Sequence, residues 1–404
     1  MSLASRYPAL SDLRARARAR LPRFVWEFLD SGTGAETAAA RNRAALDRVL
    51  LMPSILHGEI AAETAVSFLG ARYELPVGIA PVGMSGLVWP DAERHLARAA
   101  AAAGIPYCLS TVASRRPEDL RDVIGAHGWF QLYPPRDPEI RADMLRRARA
   151  AGFATLVLTV DVPVASRRER LLRSGLTQPP RLTPRLLAQI AIRPAWAWGM
   201  ARHGLPRMRL IEDYAPHRPG LSATAHAGYM LRTSPDLDYL RWLREHWRGP
   251  LIVKGVLDPE AARGLEAEGV DALWVSNHAG RQFDGGPASI EALAGIRAAS
   301  ALPLIFDSGV EGGLDILRAF ALGADLVMMG RGWHHALAAL GPRGPGHLAA
   351  LLRADLVANM GQLGLGHPAQ ARARLLAPPA GAPPAVRPGP PPGRKGSGQG
   401  SPNG

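Results

Sequence analysis

The stretch LIVKGVLDPEAARGLEAEGVDALWVSNH, residues 251–278, decides the fold. Leu251–Lys254 is an apolar run with no polar alternation, and Pro259–Glu268 follows with helical spacing. Ala272–Ser276 is a second such run, and it leads into Asn277 and His278. A strand without a polar face is buried on both sides, which is the mark of a parallel sheet.

The same unit recurs on either side. Pro76–Ala80, Pro106–Ser110, Trp129–Tyr133 and Thr155–Thr159 precede it, and Leu304–Asp307 and Leu326–Met329 follow. Helical segments such as Asp91–Ala103, Gly313–Leu322 and Trp333–Leu340 lie between or after these runs. Eight strand–helix units predict an α/β fold, a closed (β/α)8 TIM barrel; a doubly wound open sheet is the alternative. Residues 1–75 form an N-terminal helical segment, with Asp12–Arg20 and Arg23–Ser31 helical and packed on the barrel. Residues 76–370 make the barrel, and 162–235 form a long insert after the fourth strand. Residues 375–404 hold nine prolines and seven glycines and read as a disordered tail.

Composition narrows the function. At 404 residues and 47% hydrophobic content the chain is globular, and a lone cysteine excludes a disulfide scaffold or a cysteine-rich metal site. No apolar run is long enough to span a membrane. The first thirty residues lack the apolar stretch of a secretory signal, so a cytoplasmic setting is expected. The net charge is +13, yet twelve arginines fall between Val162 and Pro235 against three acidic residues. A basic excess confined to one insert, with no recognition-module pattern, argues against a nucleic-acid binder. Only two of the 48 basic residues are lysines, Lys254 and the tail residue Lys395. Lys254 thus stands where a compact ammonium is needed and a planar guanidinium fails.

Barrel chemistry gathers at the C-terminal ends of the strands. There the sequence places Pro81, Val82 and Gly83; Ser110; Gln131 and Tyr133; Thr159 and Asp161; Lys254; Ser276, His278 and Arg281; Asp307 and Gly309; and Gly330 and Arg331. Gly309, Gly330 and Arg331 suit a phosphate cradle, because glycine lets backbone N–H groups approach an anion. His278 suits a general base, Asp161 can stabilise its imidazolium, and Arg281 can hold a carboxylate.

Taken together, Ser276-Asn-His-Ala-Gly-Arg-Gln282, Leu158-Thr-Val-Asp-Val-Pro163, Gln131-Leu-Tyr133, Leu251-Ile-Val-Lys-Gly255 and Leu109-Ser-Thr111 resemble the FMN-dependent 2-hydroxy-acid oxidase and dehydrogenase family. The similarity runs from about Leu21 to Gly364. It implies FMN at the barrel mouth, with Pro81, Val82 and Gly83 against the ring and Ser110, Gln131 and Thr159 hydrogen-bonded to it. Ser276 joins this cofactor set. Lys254 would steady the anionic reduced flavin near N1 and O2. Asp307, Gly309, Gly330 and Arg331 would hold the ribityl phosphate. By the same likeness His278 is the base, Asp161 its support, Tyr133 a contact to the substrate hydroxyl, and Arg168 and Arg281 the carboxylate clamp.

The implied reaction oxidises an (S)-2-hydroxy acid to the 2-oxo acid, with electrons passed on to quinone, oxygen or another acceptor. A homo-oligomer is implied as well. Four positions depart from the pattern: Phe28 for a tyrosine, Val112 for a tryptophan, Val82 for a threonine, and Glu311 for an arginine. Val112 implies a roomier pocket. Glu311 would repel a phosphate unless it turns away or pairs with Arg331. Phe28 and Glu311 also leave open a catalytically drifted FMN-binding barrel with a non-enzymatic role. Trp196 and Trp198 among the arginines of the insert suit an anionic lipid surface; a solvated lid contributing Arg168 is the equal alternative.

Overall fold

The computed structural model describes residues 2–176, 183–214 and 234–376. The prolyl and glycyl tail lies outside these from residue 377, as do residues 177–182 and 215–233 of the insert. Among the described residues there are ten strands: β1 (Val66–Phe68), β2 (Ala71–Tyr73), β3 (Val77–Ile79), β4 (Tyr107–Ser110), β5 (Gly128–Leu132), β6 (Thr155–Thr159), β7 (Leu251–Val256), β8 (Ala272–Val275), β9 (Leu304–Phe306) and β10 (Leu326–Met329). β3 to β10 form a closed barrel in sequence order, every neighbouring pair parallel, with β10 joined back to β3. The eight apolar runs are its staves, and the open-sheet alternative is excluded.

β1 and β2 were not legible as strands. They form an antiparallel hairpin turned at Leu69 and Gly70, both at positive φ. Phe68 and Tyr73 are buried and meet Trp129 of β5, whose indole donates to the Tyr73 hydroxyl at 3.2 Å. Trp129 packs edge-on against Trp274 of β8. Trp274 in turn reaches the polar rim, donating to Asp307 Oδ2 at 2.9 Å with Lys254 Nζ 5.5 Å from its ring centroid.

The N-terminal helices cover the barrel's flank. Leu10–Arg20 lies against Arg331–Leu340, where Arg16 and Arg20 donate to the carbonyls of Ala339 and Ala338. Arg23–Asp30 follows, with Phe24, Val25, Trp26 and Leu29 buried. The described part of the insert is helical and anchored. Arg170 near its start meets three carboxylates, and Asp213 near residue 214 bridges Arg116 and Arg147. Trp196 is buried rather than presented outward: it stacks edge-on with Phe24 and donates to the Leu87 carbonyl. The expectation that Trp196 faces lipid is therefore corrected. Trp198, on the other face of the same helix, is 70% exposed.

Candidate active site

The ends of five strands, β4 to β8, deliver a polar layer in two hydrogen-bonded groups. Ser110, ending β4, donates to Gln131 Oε1 on β5 at 3.0 Å, and Gln131 Nε2 donates to Thr159 Oγ1 on β6 at 3.0 Å. Lys254 on β7 donates to Ser276 Oγ at 3.0 Å. All five side chains are buried. Buried polar atoms gathered at one rim provide donors and acceptors for a flat heteroaromatic ring.

Lys254 lies between two carboxylates, 3.5 Å from Asp161 Oδ2 and 3.8 Å from Asp307 Oδ2. Desolvation acts against its charge, but Asp161 and Asp307 outweigh it, so the ammonium is held above its ordinary pKa. Asp161 behaves in parallel: desolvation opposes ionisation, and Lys254 and His278 together still bring its pKa to about 2. Gly255 makes this closeness possible. It sits at a bulge between Lys254 and Val256 with φ of 107°, and a Cβ there would fall 2.5 Å from the Asp161 Cβ. In the sequence Gly255 stands out only as the last residue of the Leu251–Gly255 motif.

His278 Nδ1 lies 3.0 Å from Asp161 Oδ1. A neutral imidazole donating from Nδ1 carries its lone pair on Nε2, where a base needs it. The turn that holds it is strained. His278 and Ala279 have φ of 54° and 56°, a left-handed conformation that side chains resist. Gly280 continues it at 71°, where any Cβ would strike the backbone of Ala39. Three bonds secure the turn: His278 N to Ser276 Oγ, Ala279 N to Ser308 Oγ, and Gly280 N to Asn277 Oδ1. Asn277 exchanges a reciprocal amide pair with Asn42 at 2.8 Å. Asn42 and Ser308 were missed, since only tertiary contact reveals such supports.

Arg281 is fixed by backbone alone, donating to the carbonyls of Phe28, Leu29 and Ser31 at 2.7–3.0 Å. Arg331 donates to the Asp30 carbonyl at 3.3 Å. Among the described residues, neither these two nor Arg168 forms an ion pair. Arg281 lies well below its ordinary pKa, through desolvation first and then the charges of Arg168 and Arg331. Arg168 and Arg331 are lowered too, desolvation leading in each. Asp30 offsets part of this for Arg281 and Arg331, yet desolvation prevails, and three buried guanidiniums with no direct ion pair among the described residues form a seat for anions. Tyr133 stands among them, its phenol pushed up to about 12 by desolvation and then by the Asp161 charge.

At the phosphate end, Gly309 has φ of 94°, and a Cβ on Gly330 would close to 3.3 Å from Val82 Cγ2. Val82 and Gly330 thus line a cradle that a side chain would fill. Asp307 does not offer its oxygens there: they accept from Trp274 and Ser308. Glu311 is exposed and, among the described residues, forms no salt bridge with Arg331, although its charge favours the Arg331 cation from a distance. Pro81 and Gly83 follow β3, and a Cβ on Gly83 would meet Val112 Cγ2 at 2.6 Å. Phe28 is half-buried and contributes its carbonyl to Arg281. The polar layer, the glycine cradle and the buried arginines fit a ring carrying a phosphate.

The sequence pattern described as FMN-dependent dehydrogenase matches residues 17–378. The chain belongs to the FMN-dependent 2-hydroxy-acid oxidase and dehydrogenase family. FMN is its cofactor and oxidation of 2-hydroxy acids its chemistry. An L-lactate dehydrogenase of Caulobacter vibrioides (strain NA1000 / CB15N) is 39% identical over 373 residues, covering 91% of this chain and 97% of that protein. An L-lactate dehydrogenase of Alcaligenes faecalis is 37% identical over 372 residues, with the same coverage of each. Among solved structures, a monotopic membrane protein, (S)-mandelate dehydrogenase, superposes with a TM-score of 0.86 at 33% identity, covering 92% of this chain and 99% of that one. A mandelate oxidase superposes with a TM-score of 0.77 at 34% identity, covering 91% and 97%.

Proposed function

We propose that this member of the FMN-dependent family oxidises an (S)-2-hydroxy acid, lactate-like or bulkier, to its 2-oxo acid, with His278 as base. The observation that carries the reading is the His278–Asp161–Lys254 array together with the buried Arg168 and Arg281, which form no ion pair among the described residues. Arg168 and Arg281 bind and orient the substrate carboxylate, which fixes the hydroxyl-bearing carbon relative to Nε2 of His278. His278 accepts a proton, from the hydroxyl or from the α-carbon, and Asp161 stabilises the imidazolium through Nδ1–H. Tyr133, kept protonated by its surroundings, can donate to the substrate oxygen. Ser110, Gln131, Thr159, Ser276 and Lys254 would hold the FMN ring, and Gly309, Gly330 and Arg331 its phosphate. FMN, when bound, supplies the two-electron acceptor. Val112 leaves room for a side chain larger than methyl.

The acceptor that takes the electrons onward follows from the insert. Leu187, Ile192, Trp198 and Leu205 are exposed there, beside the exposed Arg185, Arg202 and Arg207. Among the described residues no helix is long and apolar enough to cross a membrane. An amphipathic face of this composition supports contact with an anionic bilayer surface, and hence a quinone as acceptor. The likeness to a structure described as monotopic supports the same reading.

The test is anaerobic. Purified yellow protein is mixed with lactate, glycolate, mandelate and longer-chain 2-hydroxy acids, then exposed to a soluble quinone or to oxygen. Bleaching by at least one acid and faster reoxidation by quinone are expected. A flavin that no acid bleaches sinks the enzymatic reading, and faster reoxidation by oxygen sinks the quinone.

A further inference from the structure

We propose that Arg170 is a positioning residue that sets the charge and place of the substrate-binding arginines. Its guanidinium meets three carboxylates at once: Glu27 at 2.5 Å, Asp30 at 2.7 Å and Glu36 at 2.8 Å. All three acids come from residues 27–36, the end of one N-terminal helix and the loop beyond it. Two further bonds fasten the same junction, Thr33 Oγ1 to the Arg167 carbonyl at 3.0 Å and Gly34 N to Glu169 Oε2 at 2.9 Å. Residues 167, 169 and 170 are thus all fixed to this segment, and Arg168 lies within the clasp.

The backbone of that segment does a second job. The carbonyls of Phe28, Leu29 and Ser31 hold Arg281, and the Asp30 carbonyl receives Arg331. The direct bonds of Glu27, Asp30 and Glu36 therefore go to Arg170 and Arg14, while the direct bonds of Arg281 and Arg331 go to neutral carbonyls and Asp30 reaches those two only through its field. The division matters electrostatically. A carboxylate paired directly with Arg168 or Arg281 would compete with the substrate's own carboxylate. Directing Glu27, Asp30 and Glu36 onto Arg170 neutralises the acids and leaves the seat cationic. Arg14 completes this, taking Asp30 Oδ1 at 2.8 Å. The inference rests on the assignment of Arg168 and Arg281 to the carboxylate. Neither Arg170 nor the three acids stand out in the sequence, because they lie 134–143 positions apart.

The experiment compares a 2-hydroxy acid with its uncharged amide on FMN-loaded enzyme. Arg170→Ala is expected to raise KM for the acid roughly tenfold, to keep kcat within about threefold, and to leave the amide unchanged. In an Arg168→Ala background the extra loss from Arg170→Ala is expected to shrink to less than about twofold, since one residue acts through the other. Arg170→Lys, which keeps the charge but lacks the planar fork, and Glu36→Gln give the same direction in weaker form. They decide the matter if the alanine variant fails to hold FMN. Equal losses on acid and amide, or additive losses in the double variant, overturn the clasp alone. An unchanged acid-over-amide preference in Arg168→Ala overturns the carboxylate assignment, and the clasp with it.

Discussion

His278 Nδ1 lies 3.0 Å from Asp161 Oδ1, while the other oxygen of the same carboxylate lies 3.5 Å from Lys254. One anion therefore serves both the base and the ammonium. His278→Gln is expected to slow anaerobic flavin reduction by roughly 10²- to 10⁴-fold while FMN stays bound. Asp161→Asn removes a charge-assisted bond, which corresponds to about 1.5–3 kcal/mol and a roughly 10- to 100-fold slowing. Stopped-flow absorbance measures both. A histidine variant that reduces flavin at the parent rate removes the base assignment.

Lys254→Met would leave Asp161 and Asp307 buried beside an apolar side chain. Breaking a buried pair in this way costs about 3–5 kcal/mol. The variant is expected to unfold at lower urea concentration and to purify with less FMN. Lys254→Arg is not expected to rescue it, because a guanidinium cannot occupy the space of an ammonium held between two carboxylates. Urea unfolding with flavin content as a second readout tests this.

Acid should weaken the fold through His334 and His335. Desolvation lowers their pKa values from 6.5 to about 4 and about 3. A group depressed in the folded state gives its full stability above its unfolded pKa and loses it as pH falls toward the folded value. The window therefore opens below pH 6.5, at more than about 1 kcal/mol per histidine for each pH unit. His334 bridges Gly330 and Ser85, so the flavin end of the barrel should loosen first. A melting temperature that is flat from pH 7.5 to 5 contradicts this, and His335→Gln is expected to shallow the decline.

Eight barrel strands were legible because each is a short apolar run, and nearly all lead into a polar residue at the rim. The β1–β2 hairpin was not. Its strands are three residues long, and Phe68 and Tyr73 reveal their purpose only when they meet Trp129. The rim residues were legible as types, with the lone barrel lysine the sharpest signal. Their supports were silent: Asn42 looks like any helical asparagine, and Gly255 like any glycine. Trp196 misled because composition cannot tell which of two neighbouring tryptophans turns inward.

Val112 packs against Gly83, so that a Cβ on Gly83 would fall 2.6 Å from Val112 Cγ2. Val112→Trp is expected to shift preference toward small acids, reducing the kcat/KM ratio of mandelate to lactate by at least about tenfold. Paired steady-state assays decide it, and an unchanged ratio shows that the side-chain pocket lies elsewhere.

Trp198 and Ile192 are exposed on the insert. The double variant Trp198→Ser, Ile192→Ser is expected to lose flotation with anionic vesicles while retaining flavin reduction by soluble substrate. Flotation equal to that of the parent places membrane contact on another face.

The left-handed turn at 278–280 carries the proton acceptor at one end and leads directly into Arg281 at the other. Neither can be retuned without moving its neighbour, so natural or laboratory diversification of substrate range has to bypass this turn. Novelty should accumulate at Val112 and along the insert, leaving the reacting centre an inherited constant.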